Sequence, residues 1–191
     1  MTAPRPRDAA ATKKAILRAG IEGFTRHGYD GIGVRDIARA AGVTAMLVNR
    51  YFGSKEGLFA EVVEASMAER TVLTSDPATL ARDVAAALVR RTDPEADSLD
   101  PFLLMLRSAA NPRAAEILRT GIEKHVEAHL LDVAPDLRGT DRAAMILSVV
   151  AGFWLMRRMI GSTALNRSDE ATLTRTLEAL FALLAQPSRR P

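Results

Sequence analysis

Between Thr44 and Lys55 the chain carries side chains of the types that read nucleic acid, spaced so that most fall on one short helix. Arg50 has a planar fork that can donate to guanine O6 and N7 or to a phosphate, and Asn49 can pair with adenine or a phosphate. Met46 and Leu47 offer apolar surface to a thymine methyl, although each has an alternative role in extending a small core. Thr44 and Ala45 lead into this run. Lys55 follows Ser54 at the start of the next helix, where its charge and free backbone N–H groups both favour a phosphate. A second pair with chemical potential is His125 and His129, at i and i+4, a spacing that can bind zinc. Glu127 falls only two residues after His125, so the HExxH order is missing, and the chain has no cysteine. No third ligand stands at a useful spacing, so no metal or other cofactor is expected. With no Gly-rich phosphate loop, nucleophile elbow or paired carboxylates, no enzyme is expected either.

Two short helices hinged at a glycine must position the Thr44–Lys55 set. Val34, Ile37, Ala38 and Ala41 recur at i, i+3, i+4, i+7 and run into Gly42, which accepts the positive φ of a tight turn. Thr44 is a good N-cap, and a second helix over Ala45 to Tyr51 ends at Gly53-Ser54. Val43 and Val48 should face the protein, with Tyr51 and Phe52 as anchors. This is helix-turn-helix spacing, in which the second helix lies in a DNA major groove. A packing helix from Thr12 to Gly28 presents Ile16, Ala19, Gly20 and Phe24. Tyr29 and Ile32 close the small core. After Ser54, Leu58, Phe59, Val62, Val63 and Met67 sustain a longer helix to about Arg70, the expected lever between the two halves of the chain.

The runs KAILRAGIEGF, GYDGIGVRDIARAAGV and RYFGSKEGLF, in this order over residues 12–60, resemble the TetR family of bacterial transcriptional repressors. The segment AMLVNR departs from the Lys-Gly-Thr-Leu-Tyr-His-like run of many members, which bears on the bases read and not on the fold. The resemblance implies an all-α protein of about nine helices: a helix-turn-helix domain over residues 12–60, then an effector-binding and dimerisation domain over 61–191. It implies a homodimer on a palindromic operator in double-stranded DNA, released by a small molecule. The implied DNA contacts are Thr44, Ala45, Met46, Leu47, Asn49, Arg50 and Lys55, with Arg35 from the preceding helix.

Composition agrees with this reading. Apolar residues make up 48% of the chain and aromatics only 5%. Ala and Leu dominate while β-branched runs are scarce, which favours helix over sheet. The absence of cysteine suits a reducing cytoplasm. Residues 1–59 hold ten Lys or Arg against five acids, a balance of +5, whereas the remainder carries 16 against 18, or −2. All of the excess positive charge therefore sits with the helix-turn-helix, as a phosphate-bearing partner would demand. Residues 1–11 lack an apolar period and read as a mobile basic arm, either a disordered tail alone or one whose Arg5 and Arg7 add phosphate or minor-groove contacts. The N-terminus has no apolar signal core. The longest nearly apolar run, Ala143 to Met156, covers 14 residues, short of the roughly 20 that span a bilayer. A cytoplasmic protein without a membrane partner is expected.

Beyond Arg70, a turn at Thr74 to Pro77 precedes a helix over Ala78 to Arg91, and a polar loop follows to Asp100. Asp100-Pro101 starts an apolar helix that ends at Asn111-Pro112, and another helix runs from Arg113 to about Leu131. Asp141 to Ile160 is apolar on every side across its middle, as in a helix enclosed by neighbours on all faces. Phe102, Met105, Leu106, Phe153 and Met156 are adaptable or aromatic side chains that serve either as core or as the lining of a pocket. The resemblance favours a pocket for a hydrophobic or amphipathic effector. Arg157 and Arg158 either satisfy helix carbonyls or meet an anionic ligand. Leu173, Leu177, Leu180 and Phe181 form a stripe on the last helix, which Pro187 ends. The resemblance makes that stripe the dimer interface, since the family pairs its last two helices into a four-helix contact.

Overall fold

A computed structural model describes residues 6–68, 76, 78–95, 101–137 and 141–186. Arg5, the residues of the Thr74 to Pro77 turn other than Asp76, the end of the polar loop with Asp100, and Pro187 lie outside the described residues. Every regular element among those described is helical. In order they are α1 (Pro6–His27), α2 (Val34–Ala40), α3 (Ala45–Phe52), α4 (Lys55–Ala68), α5 (Leu80–Arg91), α6 (Pro101–Ser108), α7 (Pro112–Gly121), α8 (Ala128–Val133), α9 (Arg142–Trp154), α10 (Thr163–Arg167) and α11 (Glu170–Ala185). A π-helical stretch, Ile122–Glu127, lies between α7 and α8 in the chain, and a second, Leu155–Met159, prolongs α9. No described helix is long and apolar enough to cross a membrane.

Residues 6–11, expected as part of a mobile arm, are instead helical, because α1 begins at Pro6. Proline is tolerated in a first helical turn and Ala9, Ala10 and Ala11 are strong helix formers, so propensity sustains a helix there without any apolar face.

The chain divides into two compact units, and the division is discontinuous in sequence. The first holds α1 to α4 together with α6 and α7; the second holds α5 and the chain from Glu123 onward. A single border near residue 60 therefore does not describe the packing. In the first unit Ile16, Phe24, Ile37, Val48, Leu58, Phe59 and Val62 are sealed from solvent. Phe59 meets both Phe24 and Tyr29 edge-on with centroids 5.0 Å apart, a favoured aromatic geometry. Leu103 and Leu104 of α6 and Ala114 and Leu118 of α7 join this unit as buried residues, α6 packing on α1 and α7 on α4.

In the second unit α11 lies along α5 and touches α9. Leu173, Leu177 and Phe181 are buried, as are Leu80, Leu88 and Val89 of α5. Three of the four residues expected at the dimer interface thus belong to the chain's own core. The solvent-facing leucines of α11 are Leu180, 39% exposed, and Leu183, 63% exposed. The physical reason is register: a stripe at i, i+4, i+8 covers one face only, and α5 occupies it.

Nor is the apolar α9 enclosed on all sides by its own chain. Ala143, Ile146 and Trp154 face inward, whereas Met145, Leu155, Met156, Met159 and Ile160 are exposed. Hydropathy records that a face avoids water without recording which chain covers it. The π turn after Trp154 brings Arg157 inward, only 3% exposed, where Nη1 donates to the Val89 carbonyl (2.7 Å) and to Thr92 Oγ1 (3.2 Å). Arg158 Nη1 donates to the carbonyls of Asp93 (2.8 Å) and Pro94. Both arginines thus satisfy main-chain carbonyls at the end of α5, which neighbour them in space and not in sequence.

Candidate nucleic-acid interface

The turn between α2 and α3 is built from main-chain chemistry. Gly42 has φ +69°, the Gly42 N–H donates to the Arg39 carbonyl (3.1 Å) and the Val43 N–H donates to the Ala38 carbonyl (2.9 Å). This pair of bonds satisfies the orphan carbonyls at the end of α2, and the left-handed φ favours glycine. Thr44 then takes extended geometry as the N-cap of α3, and its carbonyl accepts from Leu47 and Val48. Its hydroxyl makes no capping bond, so the side chain keeps its hydrogen-bonding capacity for another partner.

Burial sorts α3 into two faces. Val48 and Phe52 are buried and fix the helix to the unit, with Val43 and Tyr51 half-buried beside them. Thr44, Met46, Asn49 and Arg50 are exposed; Ala45 and Leu47 are half-buried. Met46 is 80% exposed, which removes it from the core, while Leu47 divides its surface between the two environments. Arg35 on α2 is exposed too. Arg39 is not in the same condition, because Asp36 holds it at 3.1 Å. The outer face of α3 accordingly combines one guanidinium, one amide, one hydroxyl and a flexible thioether on a rigid rod, a set able to read base edges and phosphates.

Lys55 opens α4. Ser54 precedes it, accepting the Gly57 N–H on its side-chain oxygen (3.1 Å) and the Leu58 N–H on its carbonyl (3.0 Å). Lys55 is half-buried with Nζ 4.5 Å from the centroid of the Tyr29 ring. A cation over an aromatic face is held there electrostatically. The Glu56 carboxylate neighbours the Tyr29 hydroxyl. Burial, and after it the Glu56 charge, pushes the Tyr29 hydroxyl above the usual phenol range. The Glu56 carboxyl is held below its ordinary value by its own backbone N–H first, then by the hydroxyls of Ser54 and Tyr29. Sequence reasoning assigned Tyr29 to the core alone. Its second role, as the platform of Lys55, has no periodicity or motif to betray it.

The other candidate residues belong to both units. Phe102, Met105 and Leu106 are half-buried on α6 in the first unit, whereas Phe153, half-buried, and Met156, exposed, belong to the second. Phe153 lies 5.9 Å from the Arg157 guanidinium. His125 sits in the first π stretch and His129 in α8, both half-buried. Among the described residues no group of three or more His, Cys, Asp or Glu side chains is placed to hold a metal ion.

Residues 16–62 match the family model described as bacterial regulatory proteins, tetR family, and residues 78–182, more than half of the chain, match the tetracyclin repressor-like C-terminal domain. The chain is 58% identical over 53 residues to the HTH-type transcriptional regulatory protein RaaS of Mycobacterium tuberculosis, a stretch covering 27% of this chain and 24% of that protein. It is 35% identical over 82 residues to the HTH-type transcriptional regulator BetI of Agrobacterium fabrum, 43% of this chain and 35% of the relative. The matched stretches thus span about a third or less of these curated relatives. In three dimensions the fold is similar to a TetR-family transcriptional regulator from Rhodococcus sp., with a TM-score of 0.68 and 16% identity over 93% of this chain and 100% of the other.

Proposed function

The chain belongs to the TetR family of bacterial regulatory proteins, and from that premise we propose that it is a transcriptional repressor that binds a palindromic DNA operator as a homodimer and leaves it when a small molecule binds. Family members bind operators as dimers and respond to small-molecule effectors. The observation that supports this reading best is the outer face of α3, where Thr44, Met46, Asn49 and Arg50 are exposed on a helix that Val48 and Phe52 hold rigid. In this role Arg50 and Asn49 read base edges, Met46 and Leu47 touch a thymine methyl, Thr44 and Lys55 take phosphates, and Ala45 and Arg35 flank the contact.

The dimer contact we assign to the outer faces of α9 and α11: Met145, Leu155, Met156, Met159 and Ile160 with Leu180 and Leu183. Five large apolar side chains exposed along one helix and its π extension form the kind of patch that marks a protein interface. Two-fold symmetry would then place two copies of α3 in successive major grooves, about 34–36 Å apart. For the effector we propose an apolar or amphipathic small molecule, with Phe102, Met105 and Leu106 on α6 as candidate contacts. Met156 serves the dimer face in this scheme. An effector that prefers a shape with a different separation of the α3 helices weakens DNA binding, and DNA weakens effector binding by the same factor.

The test is to select bound sequences from fragmented DNA of the source genome with purified full-length protein, then to titrate the recovered site at several salt concentrations. A palindromic site is expected, bound with an affinity that falls steeply as salt rises because phosphate neutralisation releases counterions. Recovery of no preferred sequence, or a flat salt dependence, would defeat the reading.

A further inference from the structure

The turn between α6 and α7 belongs to the first unit, and its polar groups converge on the corner where α1 ends. Arg107 Nη1 donates to the Thr25 carbonyl at 2.6 Å. Gly28, at φ +70°, approaches so closely that a Cβ there would stand 2.4 Å from the Arg107 carbonyl oxygen. The Tyr29 N–H donates to Ser108 Oγ at 3.0 Å, and Ser108 is 1% exposed. Asn111 Nδ2 donates to the Asp30 carboxylate at 2.9 Å, while the Asn111 side-chain oxygen caps α7 by accepting from the N–H groups of Arg113 and Ala114. Four bonds or close approaches thus clamp Thr25, Gly28, Tyr29 and Asp30, about 80 residues away in sequence.

The clamped corner carries the ring on which Lys55 rests. A side chain with four rotatable bonds delivers its charge to a phosphate with less entropy loss when its end is already held. Here the ring of Tyr29 holds it, and Tyr29 is itself held by the α6–α7 turn. We infer that Ser108 and Asn111 are positioning residues for DNA binding: by seating Tyr29 they set where Lys55 presents its ammonium to the operator backbone. Neither residue touches DNA in this scheme. The inference rests on the reading of Lys55 as a phosphate contact, which the experiment tests separately.

The decisive variant is Asn111→Asp. Aspartate is as good an N-cap as asparagine, so α7 keeps its cap. The hydrogen bond to Asp30, however, becomes a repulsion between two carboxylates. Operator affinity should fall about threefold, the scale of an exposed charge pair. Adding Asp30→Asn to Asn111→Asp restores the bond with its direction reversed, and affinity should return to within about twofold of the parent. Ser108→Ala leaves the buried Tyr29 N–H without its acceptor and should weaken operator binding about five- to tenfold. Each variant is to be measured again in a Lys55→Ala background, with thermal unfolding monitored throughout.

Positioning predicts that the effects of Asn111→Asp and Ser108→Ala largely vanish once Lys55 is gone, because there is no longer an ammonium to place. A purely structural role predicts the same loss in both backgrounds, and that result overturns the inference. Failure of Asp30→Asn to rescue Asn111→Asp overturns it as well. If Lys55→Ala changes neither operator affinity nor its salt dependence, the phosphate reading fails and takes the inference with it. If Lys55→Ala weakens binding while Asn111→Asp and Ser108→Ala leave it at the parent value, the inference alone falls.

Discussion

Replacing Met46 with alanine separates recognition from folding more sharply than any other change on α3. The side chain is 80% exposed in the chain itself, so its removal takes away little that the fold uses. Alanine is the better helix former by a few tenths of a kcal/mol, and exposed substitutions ordinarily stay within about 0.5 kcal/mol. Stability should therefore be unchanged or slightly raised. Against DNA the balance reverses. Full burial of a methionine side chain stabilises by about 1.5–3 kcal/mol, and a groove contact that covers about half of it, with the alanine methyl retained, leaves about 1 kcal/mol to lose. That corresponds to a roughly fivefold weaker operator complex. No charge is removed, so the slope of log affinity against log salt should stay where it was. Arg50→Ala is the contrast: on the order of 1–3 kcal/mol if it meets a base, or a salt slope smaller by about 1 if it meets a phosphate. Fluorescence anisotropy with labelled operator at four salt concentrations, paired with thermal melts, measures all of these quantities. A Met46→Ala protein that melts substantially lower but binds operator as before would place Met46 in the fold and sink the assignment of this face.

Three further outcomes are expected. Leu155→Glu combined with Met156→Glu should give a folded monomer by sedimentation, because both side chains are exposed on the proposed dimer face, whereas Leu173→Asp should unfold the protein because that residue is buried; a folded Leu173→Asp monomer would restore α11's inner stripe as the interface. Glu56 and Asp169 both have folded-state pKa values lowered, Asp169 chiefly by the hydroxyl of Thr172. Their stabilisation is therefore present above the unfolded carboxylate range and is lost as pH falls through the lower folded values, so Glu56→Gln with Asp169→Asn should flatten the acid limb of the stability profile, and an unchanged limb counts against these bonds. Met105→Trp on α6 should blunt release by an effector found in a compound screen while operator affinity stays nearly intact; full induction in that variant would remove α6 from the effector's contacts.

What was legible in the sequence is what short-range rules control. The Gly42 turn, the Thr44 start of α3 and the inward placement of Val48 and Phe52 all follow from φ preference and helical period within ten residues. The early start of α1 at Pro6 leaves no periodic mark, because an alanine run has propensity without period. The α9 and α11 faces escaped for another reason. Leu173, Leu177 and Phe181 look from the sequence like any apolar stripe, and only the arrival of α5 decides that they are inside. The Tyr29 corner was out of reach altogether: Ser108 and Asn111 act on residues about 80 positions away, through single polar groups that carry no pattern of their own.

The discontinuity of the first unit has a consequence for how the protein is made and how it can be cut. Leu103, Leu104 and Leu118 are almost wholly buried in that unit. At about 1.5–3 kcal/mol for each fully buried leucine, their contribution is comparable to the entire stability of an ordinary domain. A reading head excised after α4 would lack them and should not fold as a cassette; a chimera that transplants this DNA specificity has to carry α6 and α7 along with α1 to α4. The same holds on the ribosome. The half of the chain proposed to read DNA is synthesised first but stays incomplete until Leu118 has emerged, so on that proposal the nascent protein should acquire the ability to grip DNA only after α5, an element of the other unit, has been made.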